Sequence, residues 1–470
     1  MPDLLLLADT LLQNGVSVDR IQGSGGVNPG SLDGRDERRT NMSTRVGKIV
    51  PTLGGALLAL WATAAIAQPL APTEGESAPY VTQEEEKEPA IKAVPPLQYF
   101  DRTADGIKKW FDKRGLTIGS GLSTAFQWDF NDPANFKVPF RSLDNWHSRY
   151  FVGLFQLTLG YNPTPEKGQF GWVVKGDAGR IARRIKSDWN GSGFVPDTQW
   201  EHHEIELQDA YVMYNVPIGN GLTLKGGKFV TLLGAEVIEP WLNPNWSRSY
   251  LFGFAIPFTH VGGLATYPIT DMVSITAGGV MGWDDVEDNN NSPSVIGQLA
   301  VVPNDRVSVY VNGIYGPEQP CNPEHAVLPG GNGCNRNKRG VVDVVANVKL
   351  TDQFSFIFNG DWASEDEASV VNPGRHSTWD GMAGILTFQP INPLMFAVRG
   401  EWFEDAQGSR TGVQQQLWEV TFDAKYMLSQ YIYTRAEYRH DESNQNVFTA
   451  NKSFELQGQD TVAIELGYYF

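Results

Sequence analysis

Side chains capable of chemistry concentrate in one stretch of the 470-residue chain, Gly227 to Gly263, where Lys228, Glu236, Glu239, Arg248 and His260 stand among Trp241, Trp246, Tyr250 and Phe252. Carboxyls, cations and an imidazole are the groups of acid–base catalysis, of metal ligation, or of a charged constriction. Glu236 and Glu239, three residues apart in a loop, do not supply the fixed geometry of a glycosidase acid and base. His202 and His203 with Glu201 and Glu204 are metal-ligand types, but adjacent residues on a strand end point to opposite faces. Asp284, Asp285, Glu287, Asp288 and Asn289 lack EF-hand spacing and read as a solvated acidic loop. No Gly-x-Ser-x-Gly occurs. The expectation is therefore no cofactor, no metal and no catalytic residue, with the charges acting as a field.

A second charged set lies near the C-terminus. Arg399, Glu401, Glu419, Asp423, Lys425, Arg435, Glu437, Arg439 and Glu465 all fall on one parity of alternating segments, opposite Trp418, Val420, Phe422, Ile432, Tyr438, Ile464 and Leu466. Period two with one apolar face and one charged face describes a strand between lipid and a watery lumen. A lipid-facing Arg or Lys near the bilayer midplane costs about 2–4 kcal/mol, so the charges are assigned to the inside. Two readings of them follow, and both can hold: neighbouring charges pair and stiffen the wall, and they set a transverse field across a pore.

The elements that would carry these residues are sixteen strand-like segments from Leu116–Phe130 to Thr461–Phe470, one of them Phe170–Ile185. Their connections alternate long and short, with turns such as Pro217–Gly221, Thr351–Gln353 and Leu428–Gln430 opposite long loops such as Asn131–Ser148 and Thr231–Phe258. That parity and an even strand number predict an all-β, transmembrane antiparallel barrel over 116–470. The chain ends on an aromatic, Phe470, on an alternating strand, which resembles the assembly signal of bacterial outer-membrane barrels. In the N-terminal half the parity blurs; Lys225 and Lys228 cannot share a face without a bulge.

Upstream, Met42, Arg45 and Lys48 precede an apolar run ending in Ala65-Ile66-Ala67, the order of a secretory signal over 42–67 with cleavage between Ala67 and Gln68. Its 16 apolar residues, Thr52 to Ala67, are short of the ~20 that a helical span needs. Residues 1–41 read as an over-extended start or a disordered arm. Residues 68–115 read as a Pro- and Glu-rich periplasmic lead-in followed by a short amphipathic helix, Phe100–Lys113, that plugs or braces the inner rim. The net charge is −17, and residues 1–67 hold six acidic and six basic residues, so the acidity belongs to the mature part and excludes nucleic acid as a partner. The two cysteines, Cys321 and Cys334, read as a disulfide closing an outer loop, worth about 3 kcal/mol at this loop size.

The segments GKFVTLLGAEVIEP, SRSYLF and PFTHVGG resemble the central block of β-barrel porins of the OmpL-like type, the match falling on Gly227, Lys228, Gly234, Glu236, Asn245, Ser247, Arg248, Ser249, Tyr250, Pro257, Thr259, His260 and Gly262. The resemblance is closest over 225–285 and implies a porin-like channel in a Gram-negative outer membrane. It carries over no catalytic residues. By analogy with general porins, the loop after the fifth strand folds inward, with Lys228, Glu236, Glu239, Arg248 and His260 at the constriction; the alternative packs it over the barrel mouth. Expected partners are outer-membrane lipid and lipopolysaccharide, the barrel-assembly machinery and small hydrophilic solutes, with a homo-oligomer left open. A lipase-like barrel enzyme and a non-conducting adhesin or receptor stand as alternatives.

Overall fold

A computed structural model describes residues 95–186, 204–319, 321, 334–450 and 453–470. The predicted signal segment, the Ala67–Gln68 cleavage site and the His202-His203 pair lie outside the described residues. The described residues open on helix α1 (Pro95–Asp112) and then run through eighteen strands, of which sixteen form one closed antiparallel barrel. In chain order these are β1 (Leu116–Asp129), β2 (Arg149–Tyr161), β3 (Phe170–Ala178), β4 (Ile205–Val216), β5 (Leu222–Val230), β6 (Thr259–Pro268), β7 (Val273–Val280) and β8 (Ser294–Asn304). The second half comprises β9 (Val307–Pro317), β10 (Lys338–Lys349), β11 (Phe354–Glu365), β12 (Ser377–Ile391), β13 (Leu394–Asp405), β14 (Gln415–Met427), β15 (Ile432–Ser443) and β18 (Gly458–Tyr469). The short pair β16 (Phe448–Ala450) and β17 (Ser453–Leu456) forms its own hairpin inside the last long loop.

Every barrel strand pairs with its sequence neighbour, and β1 closes on β18 from Gly121↔Tyr469 to Asp129↔Thr461. The terminal Phe470 extends that seam by exchanging both backbone hydrogen bonds with Ser120. Closure removes every sheet edge, which a bilayer without competing water requires. Alternation sorts the faces as the sequence predicts: on β18, Ile464 and Leu466 are 62% and 50% exposed to the outside, whereas Glu465 between them is 1% exposed. Trp418, Phe422 and Tyr426 likewise face out on β14, with Glu419, Asp423 and Lys425 inside.

Two local departures have backbone causes. The strand expected over 170–185 stops at Ala178 because Gly179 takes φ +120°, where a Cβ would sit 2.8 Å from the Gly153 carbonyl oxygen, and a short helix α2 (Arg180–Arg184) follows. Lys225 and Lys228 do both turn inward. Gly227 between them, at φ +136°, supplies the irregularity, so that Lys225 lies over the Tyr211 ring at 4.7 Å while Lys228 reaches Glu206. Helix α1 begins earlier than expected, at Pro95, a residue suited to a first helical turn. It braces the rim at the end of the barrel that carries the short turns: Asp101 accepts a hydrogen bond from Ser429 Oγ at 2.7 Å and Asp105 one from Tyr431 Oη at 2.6 Å. Cys321 and Cys334 are bonded, with their Cα atoms 5.0 Å apart.

Candidate pore constriction

The loop from β5 to β6, residues 231–258, turns into the barrel and crosses to the far wall. Its aromatic composition explains why it cannot hang in water: Trp241, Trp246, Tyr250, Leu251, Phe252 and Phe254 are all buried, most of them in the same apolar cluster as inward residues of β2 to β15. The Trp241 ring lies flat against Gly121 of β1, where even a Cβ would come within 2.2 Å of it. A short turn of 3-10 helix, Pro240–Leu242, and a single π turn, Leu251–Ala255, give the loop its only regular structure.

Charged wall residues grip the loop through its backbone. Glu437 accepts from the amides of Trp246 and Ser247 at 2.8 and 3.0 Å, and Glu401 accepts from those of Tyr250 and Leu251, both at 2.6 Å. Arg399 donates to Ser247 O at 2.6 Å, Arg439 to Arg248 O at 2.6 Å, Arg435 to Pro240 O at 3.1 Å and Lys425 to Trp241 O at 2.8 Å. The same wall groups also pair with one another. Arg399 meets Glu419 at 2.6 Å, Arg435 meets Glu465 at 3.1 Å and Asp423 at 3.9 Å, and Arg439 meets Asp441 at 2.7 Å. The wall charges thus pair with one another and take the loop backbone as a further partner. A buried charge is tolerated only with such multiple partners.

The five residues expected at the constriction separate into four placements. Glu236 takes part in the clamp: it accepts from Arg399 at 2.8 Å and from the Ser249 amide at 2.8 Å. Glu239 crosses to the opposite wall, accepting from Lys175 at 3.0 Å, Gln208 at 2.9 Å and Gln156 at 3.0 Å. Burial works to raise the Glu239 carboxyl, but the Lys175 ammonium and the two amides outweigh it and hold its pKa at about 2. Arg248 does not present a charge to the lumen. It is 2% exposed, and its guanidinium donates to the loop's own carbonyls at Val237, Trp246 and Ile238 at 2.8, 2.6 and 2.8 Å, stapling the loop together from within. Lys228 and His260 stand at the loop's root instead: Lys228 pairs with Glu206, and His260 joins Gly282 O at 2.8 Å to Thr231 Oγ1 at 3.1 Å.

Several participants were not singled out from the sequence. Asp343 and Asn359 accept the amides of Gly234 and Ala235, both at 3.0 Å, and fix the loop's descending arm. Asn243 folds the loop on itself, bonding Val237 N and O, both at 2.9 Å. Arg141, from the first long loop, reaches Asp441 at 2.7 Å, and Arg410 donates to Phe254 O at 2.6 Å. Inward parity on their strands is the signal that could have found Asp343, Asn359 and Asp441. Nothing local marks Arg141 or Arg410, which act from loops. A crevice lined by Ala235, Glu236, Ser249, Ile357, Asn359, Ala383 and Ile385 is left between the loop and the β11–β12 wall.

A family model described as "Putative beta-barrel porin-2, OmpL-like" matches residues 115–470. The search of curated proteins finds no match. Among solved structures, OprB of Pseudomonas putida is 9% identical with a TM-score of 0.50 over 78% of this chain and 97% of that one. The outer membrane channel DcaP of Acinetobacter baumannii is 10% identical with a TM-score of 0.49, over 76% and 98%. An anion-selective porin from Comamonas acidovorans is 10% identical with a TM-score of 0.49, over 76% and 99%. At these identities the likeness is one of fold. The family match runs unbroken from the end of α1 to the terminal phenylalanine, over the closed barrel and its folded-in loop, and the chain belongs to the OmpL-like family of outer-membrane β-barrel porins.

Proposed function

We propose that the chain passes small hydrophilic solutes by diffusion across the outer membrane of a Gram-negative bacterium, through the space that the inward loop 231–258 leaves beside the barrel wall. The observation that carries this reading is the closed sixteen-strand barrel with a loop held across its lumen by Glu401, Glu437, Arg399 and Arg439, the arrangement of a narrowed diffusion pore. Transport of this kind needs no chemical step. Discrete conductance steps from the purified chain in a planar bilayer, together with swelling of sugar-loaded liposomes, test the reading; an electrically silent barrel that hydrolyses lipid esters would overturn it.

Assembly follows from the seam. Phe470 completes the β1–β18 closure, and its ring lies 5.9 Å from Tyr431, so the barrel-assembly machinery and the surrounding lipid are its proposed partners during insertion. Phe470→Ala is expected to lower the heat-modifiable barrel in outer-membrane fractions several-fold while export across the inner membrane continues. Undiminished barrel would remove the terminal aromatic from that role. The proposed mature start at Gln68 is read by N-terminal sequencing of the membrane form.

A further inference from the structure

Helix α1 has two unlike flanks. Its docked edge is Ala104, with Phe111 half-buried beside it. At about 100° per residue, Asp101, Asp105, Lys108 and Lys109 fall on one side of that edge and Tyr99, Phe100, Ile107 and Trp110 on the other. The polar flank meets the turn between β14 and β15, through Asp101 on Ser429 and Asp105 on Tyr431. The apolar flank meets Tyr468, whose ring is 5.1 Å from that of Phe100. Tyr468 stands on the same face of β18 as Ile464 and Leu466, which is the lipid face.

Beyond Phe100 this flank is uncovered: Ile107 is 38%, Trp110 51% and Tyr99 72% exposed. Arg114 stacks on the Trp110 indole at 3.5 Å and donates to Trp110 O at 2.7 Å, which fixes the ring and sets a cation beside it. Two of the helix acids are engaged with the barrel, whereas Arg102, Lys109, Lys113 and Arg114 are exposed, so the free surface of the helix carries an excess of positive charge. An aromatic and apolar stripe continuous with a lipid-facing wall, edged by cations, is the pattern of a helix lying in a membrane interface.

We propose that α1 is an interfacial helix. Ile107 and Trp110 enter the periplasmic leaflet of the outer membrane beside the β1–β18 seam, and the neighbouring lysines and arginines contact the phosphates of anionic phospholipid. The contact with Tyr468 selects lipid over a second copy of the chain, because it places the stripe at the level where the barrel's own aromatic surface already meets the bilayer. The cations select phosphate-bearing lipid within that leaflet.

The test uses the full mature chain refolded into phosphatidylcholine bilayers containing phosphatidylglycerol, with a nitroxide attached to Ile107→Cys and, separately, to Trp110→Cys and Lys109→Cys. Cys321 and Cys334 are bonded to each other and leave the introduced thiol as the reactive one. Heat-modifiability confirms an intact barrel in each. The ratio of oxygen to nickel-chelate accessibility is expected to be several-fold higher at positions 107 and 110 than at 109. Equal nickel access at all three would place the flank in water. Dipolar broadening between labels at 107 would place a second copy there, and either result overturns the proposal.

Discussion

Two walls of one lumen differ more than any other two regions of this molecule. Strands β13, β14, β15 and β18 carry Arg399, Glu401, Glu419, Asp423, Lys425, Arg435, Glu437, Arg439 and Glu465 on their inner face, all buried. Across the barrel, β6 to β9 contain no Asp, Glu, Lys or Arg at all, and their inner face holds Thr266, Ser274, Thr276 and Asn312. The loop 231–258 is hydrogen-bonded to the first wall through Glu401, Glu437, Arg399 and Arg439. Fixed charge is thus dense where the body of the loop is held, and is absent from β6 to β9, where His260 joins only the loop's root at Thr231. A dense set of lumen charges need not act on a passing ion, because a charge whose field is cancelled by partners a few ångströms away projects little beyond them.

The contrast breaks most visibly if the clamped loop is removed. Deleting part of Trp241–Phe252 is expected to raise single-channel conductance several-fold and, by stripping partners from Arg399, Arg439, Glu401 and Glu437, to lower the temperature at which the barrel loses its heat-modifiable form. An unchanged conductance would show that the loop does not limit flow. Next in size is Arg399→Met, which removes the cation paired with Glu236 and leaves Glu419 with Arg439 alone, at 3.6 Å, in a buried setting. Breaking a buried pair in this way costs about 3–5 kcal/mol, and thermal unfolding should register it alongside more frequent transient openings. Arg248→Gln should likewise loosen the loop and add current noise while leaving ion selectivity where it was, since the guanidinium is buried and donates its hydrogen bonds to loop carbonyls.

Smaller effects sharpen the comparison between walls. A carboxylate placed on the uncharged side, Thr276→Asp, stands between Thr266 and Gln298 and should move the reversal potential in a salt gradient toward cations. Glu236→Gln should move it toward anions by less, because Arg399 already neutralises that carboxylate at 2.8 Å. If Glu236→Gln gives the larger shift, the clamped wall does face the permeating ions and the division drawn between the two walls fails.

Much of the barrel was determined by sequence alone, because its signals are local. Period-two alternation in Gln415–Met427 and Gly458–Tyr469 states which side meets lipid, the energetic penalty for a charge in lipid fixes the sign of that choice, and the alternation of long and short connections orders the strands. The placement of Glu419, Asp423, Arg435 and Glu465 inside was legible for the same reason. Only the tertiary structure decided what those charges touch. Glu437 meets the amides of Trp246 and Ser247 about 190 positions away in the chain, Arg141 meets Asp441 across 300, and Arg248 turns from the lumen into its own loop. Parity specifies a face of the sheet. Partner, distance and burial depend on how a loop without periodicity packs its aromatic side chains inside the closed barrel, and that packing is a property of the whole wall rather than of any one strand.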